Sequence, residues 1–356
     1  MNDDTRLSMA GATRSARNGR LAAATQSRPG AAGDRLRKRW KPAGGADPTG
    51  PTDQGVDAPR GRFLDAPAGQ ARGGLRFKVY VPSGFTGAPL PLVVMLHGGT
   101  QGTDDFAAGT RMNATAEREG FLVVYPEQST RANSMKYWNW FEGDNQRRGA
   151  GEAGVIAGIT ADVMRRYPVD PGRVYVAGFS AGGAMAAVMA ATYPDVYAAA
   201  GVHSGLAYGG AHDVASAFTA MKQGPARDVR LSGAAIPLIV FHGDRDQTVD
   251  HVNGDRLVDQ WRSAAAGEAG GAVRAAPSVH RAPVPGGRSY TRSAYLDARG
   301  DSVMEQWVVH GAGHAWSGGG ADGSYTDPLG PDASAEMARF FRDHRREAGA
   351  RLPRHG

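Results

Sequence analysis

The 356-residue chain contains no cysteine. Disulfides, thiolate metal sites and cysteine nucleophiles are excluded, but compartment is not indicated, because exported proteins can also lack cysteine. No stretch approaches the roughly 20 apolar residues that a bilayer-crossing helix needs, so no membrane span is expected. The first 30 residues also lack the apolar run of a secretory signal, which on the sequence as written favours a cytoplasmic setting. Internal repeats are absent, and so is charge imbalance over most of the chain. Residues 1–60 carry 11 Lys/Arg against 6 Asp/Glu, whereas the rest carry 30 against 29. Most of the net charge of +6 therefore belongs to the N-terminal segment, where the densest basic run is 35–41. Such a run can meet an anionic surface, but a solvated tail is the commoner use, and no nucleic-acid partner is expected.

What is present is a sizeable apolar fraction, 41%, and 51 glycines, many of them clustered between apolar runs. This suits a fold with many tight strand-to-helix turns. Residues 1–70 read as a separate basic segment, with one weak helix at 8–24 and an aperiodic linker at 44–61. A catalytic domain is expected over 71–350. Within it, short apolar runs at 75–81, 92–96, 121–125, 174–177, 197–202 and 237–241 read as strands, the one at 121–125 stopped by Pro126. Two more strands follow at 289–296 and 302–309. Helical stretches are expected at 112–119, 155–167, 181–193, 252–265 and 333–345. Buried strands alternating with helices predict an α/β fold, a mostly parallel sheet with helices on both faces. Ligands of such sheets sit at the carboxyl ends of the strands.

One turn at such an end carries chemistry. Gly178-Phe179-Ser180-Ala181-Gly182 matches Gly-x-Ser-x-Gly, between a strand and a helix. There a serine is held on a sharp turn with its hydroxyl lifted above the sheet. The N–H of Ala181, at the helix start, is aimed at a developing oxyanion. A serine hydroxyl needs a base, and the base needs an orienting carboxylate. Where such an elbow occurs, acid and then histidine follow it in the chain. After the strand at 237–241 three aspartates compete. Asp244 is close enough to the strand to serve its turn, Asp250 is placed to cap the next helix, and spacing favours Asp246 between them. After the strand at 302–309, His314 stands in a Gly-rich loop, whereas His310 continues the strand and reads as structural. A second oxyanion donor belongs after an earlier strand, where His97-Gly98-Gly99-Thr100-Gln101 sits, and Gly99 is the main candidate. Tyr137-Trp138-Asn139-Trp140-Phe141 is dense in rings. It reads as an apolar wall beside the serine rather than as packing, with Trp138, Asn139, Trp140 and Trp316 as candidate substrate contacts.

Residues 74 to about 320 resemble the esterase family of polyhydroxybutyrate depolymerases, which also takes in feruloyl and acetylxylan esterases. The resemblance rests on Leu96-His97-Gly98-Gly99-Thr100-Gln101, Trp138-Asn139-Trp140-Phe141, the stretch 149–160 with Gly151-Glu152, and the elbow. It continues through His242-Gly243 to Val249 and Gly313-His314-Ala315-Trp316, in that order. It implies an α/β-hydrolase fold without metal or organic cofactor. It also implies Ser180, Asp246 and His314 as a triad, Gly99 and Ala181 as oxyanion donors, and a small or oligomeric ester as substrate. That ester would be a hydroxyalkanoate oligomer or polyester, or an aromatic or acetyl ester of a sugar. Many members of the family carry cysteines where this chain has Gly99 and Tyr137, a disulfide pairing that is absent here. No appended domain for solid polymer is visible, which favours soluble or short esters. A serine peptidase of the same fold, and a binding protein that has lost catalysis, are the rival readings.

Overall fold

The computed structural model describes residues 61–66, 75–227, 229–231, 233, 235–266 and 276–347. These belong to one compact unit that begins at Gly61. The helix read at 8–24, the basic run at 35–41 and the linker up to residue 60 lie outside the described residues.

Six parallel strands form the middle of a ten-stranded sheet: β3 (Leu90–Leu96), β4 (Leu122–Glu127), β5 (Val169–Phe179), β6 (Ala199–His203), β7 (Leu238–Gly243) and β10 (Ser302–Val309). Antiparallel strands close both sides, β1 (Arg62–Asp65) and β2 (Arg76–Val81) beside β4, and β9 (Ser289–Leu296) and β8 (Ser278–Pro283) beside β10. The order is β1-β2-β4-β3-β5-β6-β7-β10-β9-β8. The helices are α1 (Thr103–Thr110), α2 (Met112–Glu119), α3 (Gly151–Arg166), α4 (Ala181–Thr192), α5 (Val214–Gln223), α6 (Val252–Ala266) and α7 (Ala333–Arg342). None of the described helices is long and apolar enough to cross a membrane.

The period of two along a strand explains why both faces are covered. Val93 and Met95, Tyr175, Ala177 and Phe179, and Ile239 and Phe241 join Phe106, Met112, Met337 and Phe340 in one buried cluster. The intervening Val94, Leu96, Val174, Val176, Val202 and Val240 are buried as well. Helix α4 is rich in Ala, Gly and Met, and every residue from Ala181 to Ala190 is buried. It has no polar face because none of its sides meets water. It follows the central strand β5 directly, which puts the β5–α4 junction at the carboxyl edge of the sheet.

A charge cluster ties β10 to its neighbours. The Glu305 carboxylate is fully buried and accepts from Arg292 on β9 (2.6 and 2.9 Å), Arg339 on α7 (2.6 Å) and the Trp307 indole (3.0 Å). Burial opposes its ionisation, but the two guanidiniums prevail and hold it below the ordinary glutamate range. A lowered folded-state pKa means stability that is present above the unfolded value, about 4.3, and lost as pH falls below it. Both arginines are partly solvated, so Glu305→Ala is expected to cost about 2 kcal/mol, below the usual penalty for breaking a buried pair. That corresponds to a Tm about 5 °C lower and a shallower acid limb of the stability curve, measured by thermal unfolding at pH 4 and pH 7.

Several elements depart from the expectation. The sheet takes in Arg62–Asp65, which composition assigned to the N-terminal segment, and Phe63 packs on the core. Four residues with two apolar side chains are too short a signal to read. Strand β4 passes through Pro126 instead of stopping there. Its ladder with β3 pairs residues only up to Val124, so the missing N–H of Pro126 costs nothing on that side. Helices α1 and α5 and strand β8 lie outside the expected elements, although α5 spaces Val214, Ala217, Phe218 and Met221 as one helical face. Helix α5 is set by a capping box between Asp213 and Ser216.

Candidate active site

The loops after β3, β5, β7 and β10 meet at the carboxyl edge of the sheet, where ligands of such sheets bind. Ser180 stands between β5 and α4 at φ 56°, ψ −119°, a strained region for a residue with a side chain. The strain persists because its surroundings fix it. The Ser180 N–H donates to the His203 carbonyl at 2.9 Å, and its carbonyl receives the Ala184 N–H at 2.9 Å. The two elbow glycines are required by space. A Cβ at Gly178 would collide with the Gly182 carbonyl, and a Cβ at Gly182 with the Leu96 carbonyl. The second collision shows how closely the end of β3 lies against the elbow.

His314 comes to Ser180 from the loop after β10. Its Nε2 lies 2.9 Å from Ser180 Oγ, and its Nδ1 lies 2.6 Å from Asp246 Oδ2. With Nδ1–H donating to the carboxylate, Nε2 holds the lone pair and accepts the serine hydroxyl. The Phe179 ring lies 4.8 Å from the imidazole and limits its swing. Asp246 is buried, and its other oxygen accepts the N–H groups of Thr248 (2.8 Å) and Val249 (2.9 Å). His242 adds a second imidazole, with Nε2 at 3.5 Å from Asp246 Oδ2 while bonded to the Val249 carbonyl at 2.9 Å. Burial opposes the Asp246 charge, but His314 and His242 outweigh it and hold the carboxyl far below the aspartate range.

The competing groups have other partners. Asp244 pairs with His310 (2.9 Å) and accepts the Gly311 N–H (2.7 Å), while His310 Nε2 meets Thr291 Oγ1 at 2.8 Å. Asp250 accepts the Val252 N–H at the start of α6 (3.0 Å). His203 is buried with its ring stacked on Phe241 and Trp316, and burial pushes its pKa well down. It accepts the Ser317 N–H at 2.9 Å as a neutral ring.

Gly99 follows β3, and its neighbour Gly98 lies against Phe179 of the elbow. Among the described residues, neither the Gly99 N–H nor the Ala181 N–H donates a hydrogen bond. Uncommitted backbone donors are what an oxyanion needs.

The aromatic residues are arranged differently from an open wall. Trp138 and Trp316 are fully buried. The Trp138 indole donates to the His97 carbonyl (3.0 Å) and the Trp316 indole to Ser334 Oγ (3.2 Å). A buried indole needs such a partner, and the ring has no face left for a substrate. Trp140 packs edge-on against Phe141, and Asn139 spends its amide on Glu152 and Asn133. Of these residues, Trp138 bears on the loop after β3, and Trp316 packs against Phe106, Phe179 and His203. Glu152, which matched the family pattern without an assigned role, holds Asn139. Its signal in the sequence was only an acidic residue in the first turn of a helix.

A strained serine at the β5–α4 elbow, with histidine and carboxylate supplied after later strands, defines an α/β-hydrolase. A family model described as "Esterase PHB depolymerase" matches residues 75–282, and the chain belongs to that family. Poly(3-hydroxyalkanoate) depolymerase C of Paucimonas lemoignei is 36% identical over 254 residues, covering 68% of this chain and 58% of that protein. The chain therefore spans little more than half of that relative's length. Feruloyl esterase B of Thermothelomyces thermophilus is 27% identical over 258 residues, covering 67% of this chain and 83% of that protein. Among solved structures, an acetyl xylan esterase from Aspergillus awamori shares the fold, with a TM-score of 0.62 and 20% identity. It covers 80% of this chain and 100% of its own.

Proposed function

We propose that the protein is a serine esterase that hydrolyses carboxylic esters, of hydroxyalkanoate oligomers or polyester of that type, through an acyl-enzyme. The observation that carries this reading is the continuous line from Ser180 Oγ through His314 to Asp246, at 2.9 and 2.6 Å. His314 takes the proton of Ser180 as the oxygen attacks the ester carbonyl. Asp246 keeps the imidazole in the required tautomer and stabilises its positive charge. The Gly99 and Ala181 N–H groups receive the oxyanion, each contributing on the order of 3 kcal/mol. His314 then gives the proton to the departing alcohol. Water, deprotonated by the same imidazole, releases the acid and restores Ser180.

Membership of the family and the 36% identical depolymerase favour hydroxyalkanoate esters. The relatives named as feruloyl and acetylxylan esterases support an ester of a sugar as the second reading. A substrate panel separates them. Hydroxybutyrate oligomers are expected to give a kcat/KM at least tenfold above feruloyl sugars and acetylated xylan. The reverse order would favour the second reading, and amide turnover equal to ester turnover would overturn both.

A further inference from the structure

Glu152 is a half-buried carboxylate that the reaction does not use. It begins helix α3, and no cation pairs with it among the described residues. Three donors converge on it instead: the Asn139 backbone N–H at 2.8 Å, Asn139 Nδ2 at 2.7 Å and Gln128 Nε2 at 2.6 Å. Burial raises the pKa of its carboxyl, and these hydrogen bonds oppose the rise. An acceptor-only group matched to three donors fixes their positions, because each oxygen lone pair used is a direction imposed.

What those donors hold is the segment lying on the loop after β3. Gln128 Nε2 also donates to the Tyr137 carbonyl at 3.1 Å, and the Gln128 backbone N–H donates to His97 Nε2 at 3.0 Å. Three contacts then run from the held segment to that loop. The Met135 carbonyl accepts the Thr100 N–H at 2.7 Å. The Trp138 indole donates to the His97 carbonyl at 3.0 Å. The Tyr137 ring occupies the space a side chain on Gly99 would need. Gly99 is thereby pressed from one side by a ring and tethered on both flanks by hydrogen bonds.

We infer that Glu152 is a positioning residue for the oxyanion site. Its carboxylate fixes Asn139 and Gln128, and through Tyr137 and Trp138 it sets where the Gly99 N–H points. This rests on the esterase reading above, in which Gly99 receives the oxyanion. An oxyanion donor is worth most when it is already in place before charge develops. Loosening Glu152 should therefore weaken the transition state and leave the ground-state complex nearly unchanged.

Glu152→Gln keeps the shape but turns one acceptor oxygen into an NH2 facing donors, so at least one of the three bonds is lost. Active sites are counted with a fluorophosphonate. Turnover of p-nitrophenyl butyrate is then measured per titrated site, together with inhibition by butane boronic acid, whose serine adduct is tetrahedral. The expected result is a kcat about 10- to 100-fold lower, a KM within about threefold, and boronate affinity weakened by the same factor as kcat. If kcat per titrated site and boronate affinity both stay within twofold of wild type, Glu152 only supports the fold and the inference fails, whatever happens to Tm. Should Glu152→Gln yield no soluble protein, Tyr137→Leu tests the same contact at Gly99. It is expected to show a smaller loss with the same split, and equal kcat and boronate affinity would overturn the inference. Failure of the wild type itself to hydrolyse ester would remove the esterase reading, and the inference with it.

Discussion

Ser180→Ala is expected to lower kcat for p-nitrophenyl butyrate on the order of 10⁶-fold, with Tm shifted by no more than about 2 °C. The size follows from the cooperative nature of a nucleophile and its base, where losing one member forfeits nearly all that the set provides. The small effect on stability follows from what Ser180 does in the fold. Its strained backbone is held by the His203 carbonyl and the Ala184 N–H, and alanine keeps both the Cβ and those bonds. Among the described residues the hydroxyl it loses is bonded only to His314, at 2.9 Å, which water can replace at the edge of the sheet. Residual turnover above the uncatalysed rate is expected, because the two backbone donors survive the substitution.

Asp246→Asn is expected to lower kcat about 10⁴-fold while leaving substrate affinity within about threefold. The geometry dictates how. One oxygen of the side chain must keep accepting from Thr248 and Val249. The amide nitrogen is then left facing His314 Nδ1, where the carboxylate oxygen stood at 2.6 Å. It donates, so Nδ1 must become the acceptor and the proton moves to Nε2. An imidazole with its proton on Nε2 cannot take the proton of Ser180. Flipping the amide would instead turn its NH2 toward two backbone N–H groups. A pH profile of kcat/KM tests this directly. The loss should persist from pH 6 to 8 and shrink only where hydroxide can act as the base. A loss under tenfold would mean that Asp246 does not set the tautomer.

How much of this was legible in the sequence differs by residue. The elbow was, because Gly178 and Gly182 answer collisions within a few residues and with the end of β3, where local pattern and space coincide. His314 was separable from His310 because one sits in a Gly-rich loop and the other continues a strand. The choice among Asp244, Asp246 and Asp250 was not settled by residue spacing. It depends on which carboxylate turns inward, and each aspartate of this short loop serves a different partner: His310, His314 and the first turn of α6. The aromatic run was read by composition, which counts rings without giving their direction. Trp138 and Trp316 turned inward because their indole N–H groups find acceptors there, in the His97 carbonyl and Ser334. Glu152 could not be valued from its neighbours in the chain, since Asn139 and Gln128 reach it only after folding. The N–H groups of Gly99 and Ala181 follow the same logic, as a free donor is known only when every other acceptor has been placed.

The central claim is that Ser180 is the nucleophile, and its most direct test is covalent capture. The protein is treated with a fluorophosphonate, digested, and the adduct mapped by mass spectrometry alongside residual activity on p-nitrophenyl butyrate. One adduct per chain on Ser180 is expected, with activity falling in proportion to labelling and no adduct in Ser180→Ala. Inactivation with Ser180 unmodified, or ester turnover that persists when Ser180 is fully labelled, would contradict it.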